Sequence, residues 1–280
     1  SADLAVACLE ASRAPETLSF VIGTEVPPPG GARVDEDGDI PATRPDAARA
    51  TLEAHRAAFE ARGIGAALDQ VLGLVVQPGV EFSPMHVHHL PPDRDPGLRA
   101  VAETWPNLCL EAHSTDYQHD STYPRLAELG FAFQKVGPAL TFAWREALYA
   151  LDMMREAAGW GKVTVMPTMG ALMLRDPGYW RGHYRGSDEE TRLQRHFGYA
   201  DRIRYYWPTK AAQAAVARLF ATLAGRRIPL PLIRQHMPAA EALADVPFHP
   251  EDVVIQWVGR SLGSYHAACR VGAAPDYSGA

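Results

Sequence analysis

Apolar residues in this chain fall into short runs separated by polar stretches of helix length. Leu18-Ser-Phe-Val-Ile22, Val71 to Val76, Leu108-Cys-Leu110 and Phe131 to Val136 each read as a short buried strand. Helical patterns lie between them. These are the alanine-rich Ala2 to Ala14 stopped by Pro15, Pro45 to Arg62 with Asp46 near its start, Leu98 to Thr104, and a short helix containing Leu126 to Leu129. Strands and helices alternating at this rhythm predict parallel pairing, because a parallel crossover needs a helix-sized connection. Beyond Val136 helices take over, with Ala143 to Ala158 strongly periodic and Lys210 to Ala224 ending at Gly225. The pattern therefore predicts an α/β fold with about four parallel strands over residues 1–160, and a mainly helical extension over 161–280 packed on it.

In parallel α/β folds the loops after the strands converge on a shared pocket, so the carboxyl ends of the strands are where chemistry is expected. Each predicted strand here runs from an apolar body into polar residues. The first leads to Gly23-Thr24-Glu25 and the second to Gln77 with Glu81 close behind. The third opens Glu111-Ala-His113-Ser114-Thr115-Asp116-Tyr117-Gln118, the densest polar run in the chain, and the fourth ends in Gln134-Lys135. Alternate residues of a strand share a face, so Glu111 and His113 can project together, as suits a divalent metal or an acid–base pair. Lys135 among apolar neighbours reads as an oxyanion or phosphate partner, a Schiff-base lysine, or a lysine reaching for solvent at the rim.

Composition narrows the classes. The chain has 280 residues, 47% of them hydrophobic, enough for a substantial core in one large domain or two ordinary ones. A net charge of -6 with interspersed signs offers no basic stripe for nucleic acid. No apolar stretch approaches the length of a membrane span, so a cytoplasmic protein is expected. Cys8, Cys109 and Cys269 are far apart and form no CxxC pair. His86-Val-His88 with His89 has metal-like spacing but sits among Pro84, Pro91 and Pro92, and is expected to lie outside any metal shell. Gly259-Arg-Ser261-Leu-Gly263 matches a nucleophile elbow after a possible strand Val253-Val-Ile255. Only His266 and Asp276 follow Ser261, too near the chain end for the remaining strands of such a fold to be built. Asp201-Arg-Ile-Arg-Tyr-Tyr-Trp-Pro208 places Arg202 and Arg204 where either could close over an anionic substrate.

Five blocks taken together carry a family resemblance: Val21-Ile-Gly-Thr-Glu-Val-Pro27, Val75-Val-Gln-Pro-Gly-Val-Glu-Phe82, Glu111-Ala-His-Ser-Thr-Asp-Tyr-Gln118, Lys135-Val-Gly-Pro-Ala-Leu-Thr-Phe142 and Asp201 to Pro208. In this order they resemble the GatZ/KbaZ family, the Z subunits of class II tagatose-1,6-bisphosphate aldolase. The resemblance implies a TIM-type (β/α)8 barrel, a sugar-phosphate (tagatose or fructose phosphate) substrate, and galactitol or amino-sugar catabolism. Some members look like metal-dependent ketohexose-phosphate 4-epimerases. It further implies association with a catalytic aldolase Y subunit or with further copies of the chain.

On this reading the four strands match the last four of the barrel. The amino-terminal half, with its Gly-Gly-Asp-His-Leu-Gly-Pro block, has no counterpart here. The expected site has Glu25 and His113 as ligands of a divalent metal, zinc in the first instance. Asp116, Glu111 and Lys135 are the expected catalytic groups. Gln77, Gln118, Lys135, Arg202 and Arg204 are expected on the substrate. The alternative is a non-catalytic partner that stabilises an aldolase subunit.

Overall fold

The computed structural model describes residues 1–23 and 40–269. Its strands are β1 (Phe20–Gly23), β2 (Val71–Val75), β3 (Glu81–Phe82), β4 (Val87–His88), β5 (Cys109–Ala112) and β6 (Phe131–Gln134). Four of them form a parallel sheet in the order β1-β2-β5-β6, while β3 and β4 make a small antiparallel hairpin. The helices that alternate with these strands are α1 (Ala2–Ala11), α2 (Pro45–Ala61), α3 (Arg99–Ala102) and α4 (Thr122–Glu128). Then come α5 (Ala139–Ala157), α6 (Val165–Arg175), α7 (Asp188–Phe197), α8 (Lys210–Leu223), α9 (Leu230–His236), α10 (Pro250–Arg260) and α11 (Gly263–Cys269).

The chain is thus an α/β protein built on a parallel four-stranded sheet with many helices, and the sheet does not close among the described residues. No helix among them is long and apolar enough to cross a membrane.

Two clusters of buried side chains organise the molecule. One joins Ile22, Leu74, Leu110 and Phe131 of the sheet to Leu52 and Phe59 of α2 and Leu126 of α4. The other surrounds α5, whose Leu148, Leu151 and Met154 pack with Met169, Met173 and Leu219 from α6 and α8. Tight turns connect the layers: Gly130, at φ 94°, takes the chain from α4 into β6 through a conformation that a side chain would disfavour.

Element boundaries depart from the pattern where side chains intervene. Helix α1 ends at Ala11 because Ser12 turns extended and its hydroxyl accepts from the Ala14 amide, a local bond that competes with helix. Val253-Val-Ile255 lies in helix α10, begun by Pro250 with Glu251 and Asp252 in its first turn, so Ser261 follows a helix and no strand-turn-helix elbow forms. His88 belongs to a true strand, β4, although prolines flank it.

Strands β1 and β6 are the sheet edges, and on them Val21 is 50% and Phe133 42% exposed. A parallel sheet is ordinarily covered on both faces, and unpaired edges invite pairing. We therefore expect the 280-residue chain, purified alone, to associate beyond a monomer at micromolar concentration. Val21→Lys with Phe133→Lys should shift it toward monomer. Light scattering across a dilution series checks this, and a wild-type chain that stays monomeric throughout would contradict it.

Candidate active site

Strand β5 carries Glu111 near its carboxyl end, and the register sets it beside Val75 of β2 and Phe133 of β6. Two residues on, His113 bends back so that its Nε2 lies 2.7 Å from Glu111 Oε1. From the end of β6 the Lys135 ammonium reaches the same oxygen, also at 2.7 Å. The Glu111 side chain is 3% exposed and Lys135 is 58% exposed, so a buried negative group underlies an accessible positive one. An ionised carboxylate only accepts, so Nε2–H of His113 is the donor in this bond. A cavity of about 530 Å³ opens beside this cluster, lined among others by Phe131, Phe133, Gln134, Lys135 and Tyr265.

The rest of the polar run after β5 fastens the scaffold. Thr115, wholly buried, donates to the Lys135 carbonyl at 2.8 Å. Asp116 is 1% exposed, and its Oδ1 accepts from the Gly137 amide at 2.8 Å and the Ala139 amide at 3.2 Å, at the amino end of α5. Tyr117 donates to the Tyr199 carbonyl. Gln118 takes the Leu90 amide on its Oε1 and gives its Nε2 to the His88 carbonyl. Ser114 at φ 53° and Tyr117 at φ 64° bracket the run in left-handed backbone, a conformation that persists only when its surroundings fix it.

Among the described residues, the other expected site residues bond elsewhere through their side chains, although the Val76 amide before Gln77 donates to the Glu111 carbonyl at 3.1 Å. Gln77 spends its Oε1 on the Gly79 and Val80 amides. Arg202 donates to the Tyr179 carbonyl and Arg204 to the carbonyls of Ala200 and Asp201, so both guanidinium groups engage backbone within the helical region. Glu25 lies outside the described residues. The structure thus brings together Glu111, His113 and Lys135, and sets Asp116, Gln77, Gln118, Arg202 and Arg204 in bonds that hold loops.

Tyr265 and Thr115 are neighbours of the site that residue type and spacing did not single out. The stacked rings of His89 and His119, 3.7 Å apart between centroids, join two loops; the histidine motif pointed to His89 but not to this partner.

Among the described residues no three histidine, cysteine, aspartate or glutamate side chains converge to hold a metal ion. The cluster offers two such donors, Glu111 and His113, one fewer than a catalytic zinc site takes from protein, and Glu111 already holds Lys135.

Burial pushes the Asp116 carboxyl up to about 6, against the pull of the Gly137 and Ala139 amides. His196, whose Nδ1 shares a hydrogen bond with the Tyr149 hydroxyl at 2.8 Å, is pushed down to about 4 by burial and by nearby arginines.

The two groups act oppositely on stability. Asp116 takes up its proton more readily folded than unfolded, so its contribution falls as pH rises from about 4 to about 6. His196 prefers to be neutral when folded, so its contribution falls as pH drops from about 6.5 to about 4. Each is worth about 3 kcal/mol by the shift, and they largely cancel between pH 4 and 6. Asp116→Asn, which keeps the acceptor oxygen, should unmask the histidine, giving a stability that climbs by about 2–3 kcal/mol from pH 4 to 6.5. Urea unfolding of both proteins across that range measures it, and parallel curves would show that Asp116 ionises as an ordinary carboxylate.

Comparison with known proteins places the chain among relatives. The family model "D-tagatose-1,6-bisphosphate aldolase subunit GatZ/KbaZ-like" matches residues 1–270. The D-tagatose 6-phosphate 4-epimerase of Agrobacterium fabrum (strain C58) is 46% identical over 251 residues, covering 89% of this chain and 59% of that protein. A crystal structure of a probable tagatose 6 phosphate kinase from Sinorhizobium meliloti 1021 is similar with a TM-score of 0.82 and 39% identity, covering 96% of this chain and 66% of that one. The chain therefore spans less than two thirds of the length of either relative.

Proposed function

Because the chain belongs to the D-tagatose-1,6-bisphosphate aldolase subunit GatZ/KbaZ-like family, we propose that it supplies catalytic groups to a ketohexose 6-phosphate 4-epimerase. The observation that carries this reading is the Glu111, His113 and Lys135 cluster at the strand ends beside an open cavity.

The chemistry is that of an aldol cleavage run forward and back. Removing the O4 proton of a 2-ketohexose lets the C3–C4 bond break, its electron pair passing into the C2 carbonyl as an enediolate. Re-forming the bond on the other face of the C4 aldehyde, with the proton returned to O4, inverts C4 with no net change of atoms. The same cleavage without recapture is an aldolase reaction, which connects the epimerase to the aldolase of the family's description.

His113 suits the proton transfer at O4, with Glu111 fixing its tautomer and stabilising the imidazolium that results. The Lys135 ammonium provides a counter-charge for the enediolate oxygen or for the substrate phosphate. Asp116 serves this site by holding the turn that carries Lys135.

A second use of the same ring has its own support. A metal-bound histidine characteristically gives its other N–H to a carboxylate, as His113 does to Glu111. Its Nδ1, together with Glu25, would then take the divalent ion, zinc in the first instance, which when bound would polarise the C2 carbonyl. One lone pair serves one purpose, so metal content and activity separate the two uses. An aldolase Y subunit or a further copy of this chain is the partner proposed to complete the assembly.

Glu111→Gln and His113→Ala are each expected to lower kcat for tagatose 6-phosphate about 10²-fold or more. Metal analysis of dialysed wild type and His113→Ala should show equal content if His113 is the base, and loss in the variant if it is a ligand. Wild-type turnover in both variants would remove the cluster from the mechanism.

A further inference from the structure

Helix α11 reaches the candidate site from the far end of the described chain. Its Ser264 hydroxyl donates to Asp120 Oδ1 at 2.6 Å, and the Tyr265 ring lies against Tyr123, centroids 4.4 Å apart. The Tyr265 hydroxyl meets Thr115 Oγ1 at 2.9 Å, and Tyr265 also lines the cavity that holds Glu111 and Lys135. The direction of these bonds follows from donor counting. Thr115 has one hydroxyl proton, and its bond to the Lys135 carbonyl consumes it, because a carbonyl can only accept. Tyr265 must therefore donate to Thr115. The proton order runs Tyr265 O–H to Thr115 Oγ1, then Thr115 O–H to the Lys135 carbonyl.

The Lys135 backbone is consequently held from both sides. Its N–H donates to the Ala112 carbonyl at the end of β5, and its carbonyl takes the Thr115 hydroxyl. The strand contact fixes one peptide plane, and the hydroxyl relay fixes the next. Between them they set the direction in which the lysine stem leaves β6 toward Glu111. Thr115 is wholly buried, so water does not replace Tyr265 as its donor without opening the packing.

We infer that Tyr265 is a positioning residue, which through Thr115 aims the Lys135 ammonium at Glu111 and closes one wall of the sugar-phosphate cavity. The inference rests on the proposed function for its meaning, while its test does not need turnover. The readout is the rate at which an acylating reagent labels Lys135 in the purified protein, followed by peptide mass spectrometry. Tyr265→Phe keeps the ring on Tyr123 and removes the hydroxyl, with its bonds to both Thr115 and the Tyr123 side chain; it should raise the Lys135 rate about fivefold, the factor given by one hydrogen bond of ordinary net strength, whereas Tyr123→Phe, which leaves the Thr115 bond in place, should not. Thr115→Val should do the same and Thr115→Ser should restore the wild-type rate.

The double variant Tyr265→Phe with Thr115→Val should match either single one, since both break the same relay. Additive increases, or Lys135 rates unchanged in Tyr265→Phe, would overturn the relay. Unfolding midpoints measured alongside separate a local change at Lys135 from general loosening, which would raise the labelling of Lys162 and Lys210 equally and would also overturn it. In the same proteins, kcat for tagatose 6-phosphate should fall in Tyr265→Phe with little change in KM. A wild type without epimerase activity would refute the proposed function and leave the labelling comparison intact.

Discussion

The Asp116 carboxylate on the Gly137 and Ala139 amides, at the start of α5, is a buried contact on which the geometry of two strand ends and the long helix depends. It springs from the loop after β5 and binds residues that follow β6, so it fixes the distance between two strand ends and the helix leaving the second. The helix amino end favours a negative group there, since its unpaired amides and its dipole both point at the carboxylate. Burial works against the charge more strongly, which is why the group sits above the ordinary carboxylate range. Gly137 is part of the same contact: a Cβ there would stand 3.1 Å from Asp116 Oδ2.

The helical region repeats this device. Asp152 Oδ2 takes the Thr164 and Val165 amides at 2.7 Å each, at the start of α6, while Arg155 balances its charge. Asp201 is paired with Arg145 of α5 at 3.0 Å, both side chains almost wholly buried, and Arg145 lies over the Phe142 ring. Buried ion pairs of this kind add little net stability over apolar packing, yet breaking one partner is costly. Their effect here is to fix which helix end meets which. The aspartates act as locating pins around α5, and the apolar cluster supplies the burial.

The strands were legible because short runs rich in Val, Ile, Leu and Phe, separated by helix-length patterns, leave few alternatives to parallel pairing. The start of α5 was not, since it begins four residues before the periodic segment, where a carboxylate from the loop after β5 takes its Ala139 amide. Glu111 and His113 could be paired in advance by the two-residue period of a strand, and Lys135 stood out as a charge among apolar neighbours. The density of polar residues after β5 was an ambiguous signal. Polar side chains gather both where chemistry occurs and where a buried loop must satisfy its own backbone, and in this run Thr115, Asp116, Tyr117 and Gln118 do the second. Tyr265 is 150 residues from Thr115 and carries no local mark of that contact.

The arrangement of charge around Glu111 has a consequence for ligand binding. One carboxylate oxygen accepts from both His113 and Lys135, so each bond is weaker than it would be alone. The ammonium is the accessible partner, on a flexible stem, and the imidazole is the more enclosed one. Under the proposed function, a substrate phosphate or enediolate entering the cavity competes with Glu111 for Lys135. As the ammonium turns to the substrate, Glu111 loses a positive neighbour and becomes a better acceptor for His113. The imidazole then has the shared oxygen to itself. On that proposal, binding and proton transfer would be coupled through a single shared oxygen, with no movement of the backbone that Asp116, Thr115 and Gln118 hold in place.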